Sequence, residues 1–270
     1  MNVAALRQYT FALVLGLLFS ALLFAPPQTA YGFFGGGVKV ASTIAKITPN
    51  PRTLPDDEIV RLSRLSGEVR GTAKVGGELG RLNLPQDILE DTFLRIAIHQ
   101  NKLSRNEAEL MFRNLTGVPG FSSTLRKIIG NNEVGARGHL FELRMASEGV
   151  EGGFVARAIG QKFDDGLKRA PTDIDIILER GGRLIAIEAK NYGTNTRISL
   201  DMYRADLDTL VAFRTSGNND ARLFFSMANP PVNSDYLRRL KYEAAQRDIE
   251  LVFGNARSSI LQIRQLLDMK

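Results

Sequence analysis

The stretch Pro171–Tyr192, P-T-D-I-D-I-I-L-E-R-G-G-R-L-I-A-I-E-A-K-N-Y, constrains the chain more tightly than any other. Two apolar-rich runs flank Gly181-Gly182, and a glycine pair suits a two-residue hairpin turn because both central positions take positive φ. A two-residue loop fixes the register. Arg180 then faces Arg183, Asp175 faces Glu188, and Asp173 faces Lys190. Side chains alternate along a strand. One face therefore carries Asp173, Asp175, Glu188 and Lys190, and the other carries Ile174, Ile176, Leu178, Ile185, Ile187 and Ala189. Opposed residues in a hairpin have Cβ atoms about 5 Å apart, and like charges there are destabilising. Asp175 against Glu188 calls for a cation between them. Carboxylate oxygens suit Mg²⁺ or Mn²⁺, and Lys190 adds a positive charge beside them. The plain alternative is a polar strand end with solvated acids and a Lys–Asp pair.

Composition narrows the chemistry. There is no cysteine and only two histidines, His99 and His139. Disulfides, thiolate zinc sites and cysteine nucleophiles are excluded, and a histidine-rich metal site is disfavoured. His99 falls at a helix end without a second ligand nearby, which fits a structural role. The net charge of +6 is compatible with nucleic acid or anionic lipid but selects neither.

The N-terminus carries one cation, Arg7, ahead of the uncharged apolar run Phe11–Ala25, which Pro26-Pro27 ends. That run is shorter than the roughly 20 residues of a spanning helix. It matches a signal peptide, with Ala30 and Gly32 as the small residues of a cleavage site after Gly32. Residues 1–32 are read as an export signal, or, uncleaved, as a membrane anchor. The protein is then periplasmic or secreted, and without cysteine its core alone must stabilise it.

Residues 33–56 are rich in Gly and Pro and read as a linker, with a short helix near Val38–Ile47. Residues 57–134 read as a helical region. Asp56 and Asp57 open a helix to about Arg70, and Gly71–Gly80 reads as a loop. Pro85 starts a helix through His99. Ser104-Arg-Asn-Glu107 matches a capping box, and Ser122 or Ser123 starts a short helix closed by Gly130. No catalytic constellation stands out in this region. Arg113, Arg126 and Lys127 fit a solvated face better than a phosphate contact.

Residues 135–270 read α-β-β-β-α-β-α-β-α. The first helix, Gly135–Gly149, carries Glu142 among apolar residues, either as a surface acid paired with Arg144 or an adjacent turn, or for a functional reason. Asp164–Arg169 reads as a charged turn. Strands at Arg222–Met227 and Ile249–Phe253 are separated by helices, so their connections are crossovers and the sheet is mixed. The expected fold is a three-layer α/β domain with a mixed central sheet, preceded by a small helical region.

This order resembles the PD-(D/E)xK, or restriction-endonuclease-like, nuclease superfamily over about Gly135–Phe253. The residues carrying the resemblance are Glu142, then T-D-I-D-I-I-L, then I-A-I-E-A-K. The resemblance implies a restriction-endonuclease-like fold and Mg²⁺-dependent, or Mn²⁺-dependent, hydrolysis of phosphodiester bonds. It implies that Asp175, Glu188 and the Ala189 carbonyl hold the metal, with Glu142 direct or through water. Lys190 would position the attacking water. Asp173 remains as a partner of Lys190. The implied partner is nucleic acid, DNA first, with a neutralising protein if the chain is a toxin and a membrane if the N-terminal segment is retained. The rival reading keeps the fold as a non-catalytic exported module that binds nucleic acid or protein.

Overall fold

The computed structural model describes residues 53–163 and 172–269. The signal, most of the linker, the Val38–Ile47 helix and the Asp164–Arg169 turn lie outside the described residues. Nine helices and five strands are present among those described.

Five helices come first. They are α1 (Asp56–Ser66), α2 (Gly71–Arg81), α3 (Gln86–His99), α4 (Arg105–Leu115) and α5 (Phe121–Gly130). α1 has Asp56, Asp57 and Glu58 in its first turn, where carboxylates meet the positive end of the helix dipole. It stops at Ser66, not near Arg70. The predicted capping box at α4 is present, with Ser104 and Glu107 exchanging side-chain and backbone hydrogen bonds. α5 begins at Phe121, one or two residues before the predicted start, after Gly120 in the left-handed region.

The segment expected to be a loop, Gly71–Gly80, is helix α2. Its four glycines lower helix propensity, but Val75 and Leu79, one turn apart, are buried in the core and impose the helix. Gly71 also has a steric reason to be glycine, since a Cβ there would sit 2.2 Å from the Leu65 carbonyl oxygen.

α6 (Glu133–Glu151) is the longest helix among the described residues, capped by Asn132 accepting from the Gly135 amide. The sheet follows, with β1 (Val155–Phe163), β2 (Thr172–Arg180), β3 (Arg183–Lys190), β4 (Arg222–Met227) and β5 (Ile249–Phe253) adjacent in that order. β1–β2 and β2–β3 are antiparallel, and β3–β4 and β4–β5 are parallel. The parallel pairs are bridged by α7 (Leu200–Thr215) and α8 (Ser234–Ala245), and α9 (Ala256–Asp268) ends the chain's described part.

Two hydrophobic clusters make this a three-layer α/β fold with a mixed central sheet. On one face, Ile176, Leu178, Ile185, Ile187, Phe224 and Val252 pack with α6, α9 and the helical region. On the other, Ile177, Ala186, Leu223, Phe225 and Met227 pack with Tyr203, Leu207 and Leu210 of α7 and Leu240 of α8. The first cluster is continuous from α1 through the sheet, so α1–α5 share a core with the α/β layers.

The helical region is fixed to the sheet edge at Pro119, whose carbonyl accepts from the Ile159 amide of β1 at 2.9 Å. The next residue, Gly120, has φ +89°, and a Cβ there would lie 1.7 Å from the Ile159 carbonyl oxygen. Glu90 of α3 stabilises the same corner, buried and accepting from the Gly117 amide at 3.0 Å and the Ser122 hydroxyl at 2.9 Å.

Gly120→Ala is expected to destabilise the fold by about 2 kcal/mol or more, through both strain and collision. Gly77→Ala meets open space in the middle of α2 and is expected to stabilise it by about 0.5–1 kcal/mol. Urea denaturation of the two variants beside wild type checks the opposed signs.

Candidate active site

The hairpin has the register that its turn dictates. Gly181 and Gly182 have φ +59° and +80°, and the ladder runs from Arg180 opposite Arg183 to Ile176 opposite Ile187. There it stops. Before Ile176, β2 pairs only with β1, with Ile174 opposite Gln161 and Asp173 opposite Lys162. Two expectations change as a result. Asp173 does not face Lys190; it is exposed on the β1 side. Ile174 leaves the face of Ile176 and is buried in the cluster of Ile177 and α7. The start of β2 leans toward α7, where the Thr172 and Thr209 hydroxyls lie 3.5 Å apart.

At the point of separation, the Asp175 carboxylate replaces the missing ladder bond. Its Oδ2 accepts from the Ala189 amide at 2.8 Å. That bond places Asp175 beside the last residues of β3. Glu188 is buried, Ala189 is buried in the first cluster, and Lys190 is half-buried. Glu188 and Lys190, two apart on one strand, share a face, and the Lys190 ammonium donates to Glu188 Oε1. The strand end is anchored by the neighbouring strand's exit and by α6. The Ala228 amide donates to the Lys190 carbonyl at 2.9 Å, and the Asn191 side chain donates to the Arg137 carbonyl of α6 at 3.1 Å.

Electrostatics couple these groups. Burial, and then the charge of Glu142, push the Asp175 carboxyl up to about 6, against the pull of Lys190. Burial and the neighbouring Asp175 charge raise Glu188 well above the usual carboxylate range. Burial alone would lower the Lys190 pKa, but the carboxylates of Glu188, Asp175 and Asp206 hold it well above the ordinary lysine value. The sheet thus brings two acids that resist ionising together beside an ammonium kept charged.

Glu142 lies on α6, in the layer opposite α7, buried and within electrostatic reach of Asp175. It does not pair with Arg144, which binds Glu107 at 2.8 Å. Its partner is His139 Nδ1 at 3.0 Å. His139 could have been found from its position three residues before Glu142, since such pairs share a helix face. Asp206 of α7 is the second residue that the sequence reading missed; its Oδ2 stands 3.6 Å from Lys190 Nζ. Nothing in the spacing announces it, because packing of α7 brings it there. His99 is exposed at the end of α3, Arg126 and Lys127 are exposed, and Arg113 pairs with Glu151.

Among the described residues, no three His, Asp or Glu side chains gather into a ready-made metal cage. The donor set nevertheless fits Mg²⁺ or Mn²⁺. Such ions keep several waters and bind through one or two carboxylates plus substrate phosphates. Two coupled, partly desolvated carboxylates at a strand end are that kind of set.

No protein-family model matches the chain, and no curated protein matches it by sequence. Among solved structures, similarity is found to Can2 from Sulfobacillus thermosulfidooxidans in complex with cyclic tetra-adenylate, at 14% identity and a TM-score of 0.34. The match covers 78% of this chain and 54% of that one, so the chain spans about half the length of Can2. The chain is a three-layer α/β protein with a carboxylate–lysine cluster where two central strands part.

A carboxyl whose folded pKa is raised favours the fold below its unfolded pKa and loses that contribution as pH rises through the folded value. For Asp175 the window runs from the ordinary aspartate value of 3.8 to about 6. Asp175→Asn keeps an oxygen for the Ala189 amide and removes the charge. In metal-free buffer at pH 8 it is expected to stabilise the protein by about 1–3 kcal/mol, with the gain fading toward pH 4. Thermal unfolding of both proteins across that range checks the sign.

Proposed function

We propose that the chain is a metal-dependent nuclease of the PD-(D/E)xK kind, hydrolysing phosphodiester bonds of nucleic acid, DNA first. The observation that supports this reading best is the convergence of Asp175, Glu188 and Lys190 where β2 and β3 separate, with Asp175 held on the Ala189 amide at 2.8 Å. Buried like charges cost stability. Half-buried Asp175 beside buried Glu188 is an arrangement that a cation bound between the two acids would relieve.

Asp175 and Glu188 would hold Mg²⁺ or Mn²⁺, with the Ala189 carbonyl as a further oxygen donor and Glu142 direct or through water. A cation bound there would offset phosphate charge and lower the pKa of its water. The chain's own contribution is positional. The Asp175–Ala189 bond fixes one carboxylate relative to the strand that carries the other. Lys190 stays protonated in the midst of carboxylates, so it serves as a donor to an attacking water or to a phosphate oxygen rather than as a base. Glu142, oriented by His139, approaches from the α6 side.

The apolar run Phe11–Ala25 supports an exported location, periplasmic or secreted. Among the described residues no helix is long and apolar enough to cross a membrane. Expression of the full chain in a bacterial host, with recovery from the periplasm or medium and N-terminal sequencing, is expected to give Phe33 as the first residue. Recovery of the intact chain in the membrane fraction would favour the anchor.

Purified protein with Mg²⁺ or Mn²⁺ is expected to cleave linear, circular or single-stranded DNA, and to stop on chelation. Lys190→Met and Asp175→Asn are each expected to lower the rate by about 10²-fold or more while far-UV circular dichroism stays unchanged. Undiminished cleavage in both variants would overturn the assignment. Binding of nucleic acid without cleavage in any divalent cation would leave the non-catalytic module as the better reading.

A further inference from the structure

The Lys190 ammonium has two acidic partners on different elements. Glu188 lies on its own strand, and Asp206 lies across the layer on α7 at 3.6 Å. Asp206 is held firmly. Its neighbours Tyr203 and Leu207 are fully buried, and the Tyr203 hydroxyl donates to the Leu240 carbonyl of α8 at 3.2 Å. The Asp206 carboxylate is half-buried at the rim of that packing, with Lys190 as its ion-pair partner. Glu188, in contrast, is asked to do two things, because the carboxylate that holds Lys190 is also one of the pair suited to a divalent cation. A carboxylate engaged by a metal holds an ammonium less well, and the ammonium repels the metal. If Lys190 had Glu188 alone, metal and lysine would compete for it.

We propose that Asp206 is a positioning residue for Lys190: it shares the ammonium with Glu188 in the metal-free protein and retains it when Glu188 is engaged by a divalent cation. The inference rests on the nuclease reading of the same site. It explains why an acid stands on α7 at a place where no strand chemistry requires one. It also gives the lysine a fixed location on the α7 side, away from Glu142, which comes from the α6 side.

The test is Mn²⁺ binding by titration calorimetry on the full protein, with no substrate and no turnover. Asp206→Asn keeps the shape and removes the charge, leaving Lys190 on Glu188. It is expected to weaken Mn²⁺ binding about tenfold, the order of one partly screened charge contact. Asp206→Glu is expected to restore most of the affinity. Lys190→Met is expected to bind Mn²⁺ at least as tightly as wild type, and in that background Asp206→Asn is expected to change nothing. If Asp206→Asn weakens binding equally with and without Lys190, Asp206 acts on the metal itself and the inference fails. If Asp206→Asn binds Mn²⁺ like wild type, it fails as well. If wild type binds no Mn²⁺ while its unfolding is cooperative, the metal reading fails first and takes this one with it. Thermal unfolding of Asp206→Asn in chelator, expected within a few degrees of wild type, separates lost positioning from lost folding.

Discussion

One hydrogen bond organises the candidate site: the Ala189 amide donating to Asp175 Oδ2. An antiparallel pair normally continues its ladder with backbone carbonyls. Here the ladder ends at Ile176–Ile187, and a side chain takes over as acceptor. A buried amide left without a partner would cost about 1–3 kcal/mol, so the strands could not separate at this point without some acceptor. Asp175 supplies it, and does so with a charged group. The separation of β2 from β3 and the placement of a carboxylate between them are therefore the same event.

Much else depends on that separation. The freed start of β2 leans toward α7, which puts Ile174 into the second cluster and leaves the ends of β2 and β3 open to both helical layers. Glu142 comes from one layer and Asp206 from the other. A hairpin that stayed paired to its end would keep Asp175 on one face of the sheet, where a single layer could reach it. Two anchors, Asn191 to α6 and the Ala228 amide on β4's exit, hold β3's end in place.

The sequence was most informative where local rules determine geometry. The glycine pair set the hairpin register, the Ser104–Glu107 box set the start of α4, and the compact runs Arg222–Met227 and Ile249–Phe253 stand as strands with those bounds. Alternation along β2 and β3 also put Asp175, Glu188 and Lys190 on one patch. Legibility ended where tertiary packing overrides a local rule. α2 is a helix despite four glycines because Val75 and Leu79 are needed in the core. Extending the two-strand register past Ile176 misplaced Asp173 and Ile174, since the hairpin pattern carries no sign of where pairing will stop. Asp206 was invisible for the same reason. It meets Lys190 only after α7 has crossed the sheet and docked.

The charge pattern of the cluster also says something about what the fold tolerates. Carboxylates at Asp175 and Glu188 are both pushed toward the neutral form, mainly by burial and then by nearby acids. A single lysine partly offsets them and is itself held charged by three acids. Replacing the set by apolar residues of similar volume would often be neutral or favourable for stability, so stability alone does not account for it. The surrounding scaffold is dense enough to hold the arrangement, with Ile187, Phe224 and Ile176 fully buried on one side and Phe225, Tyr203 and Leu207 on the other. An acid pair that resists ionising in an otherwise apolar setting is relieved by a divalent cation far more than by another hydrogen bond, because only the cation supplies opposite charge to both acids at once. The same core that makes the cluster costly would thereby raise the gain from a bound cation.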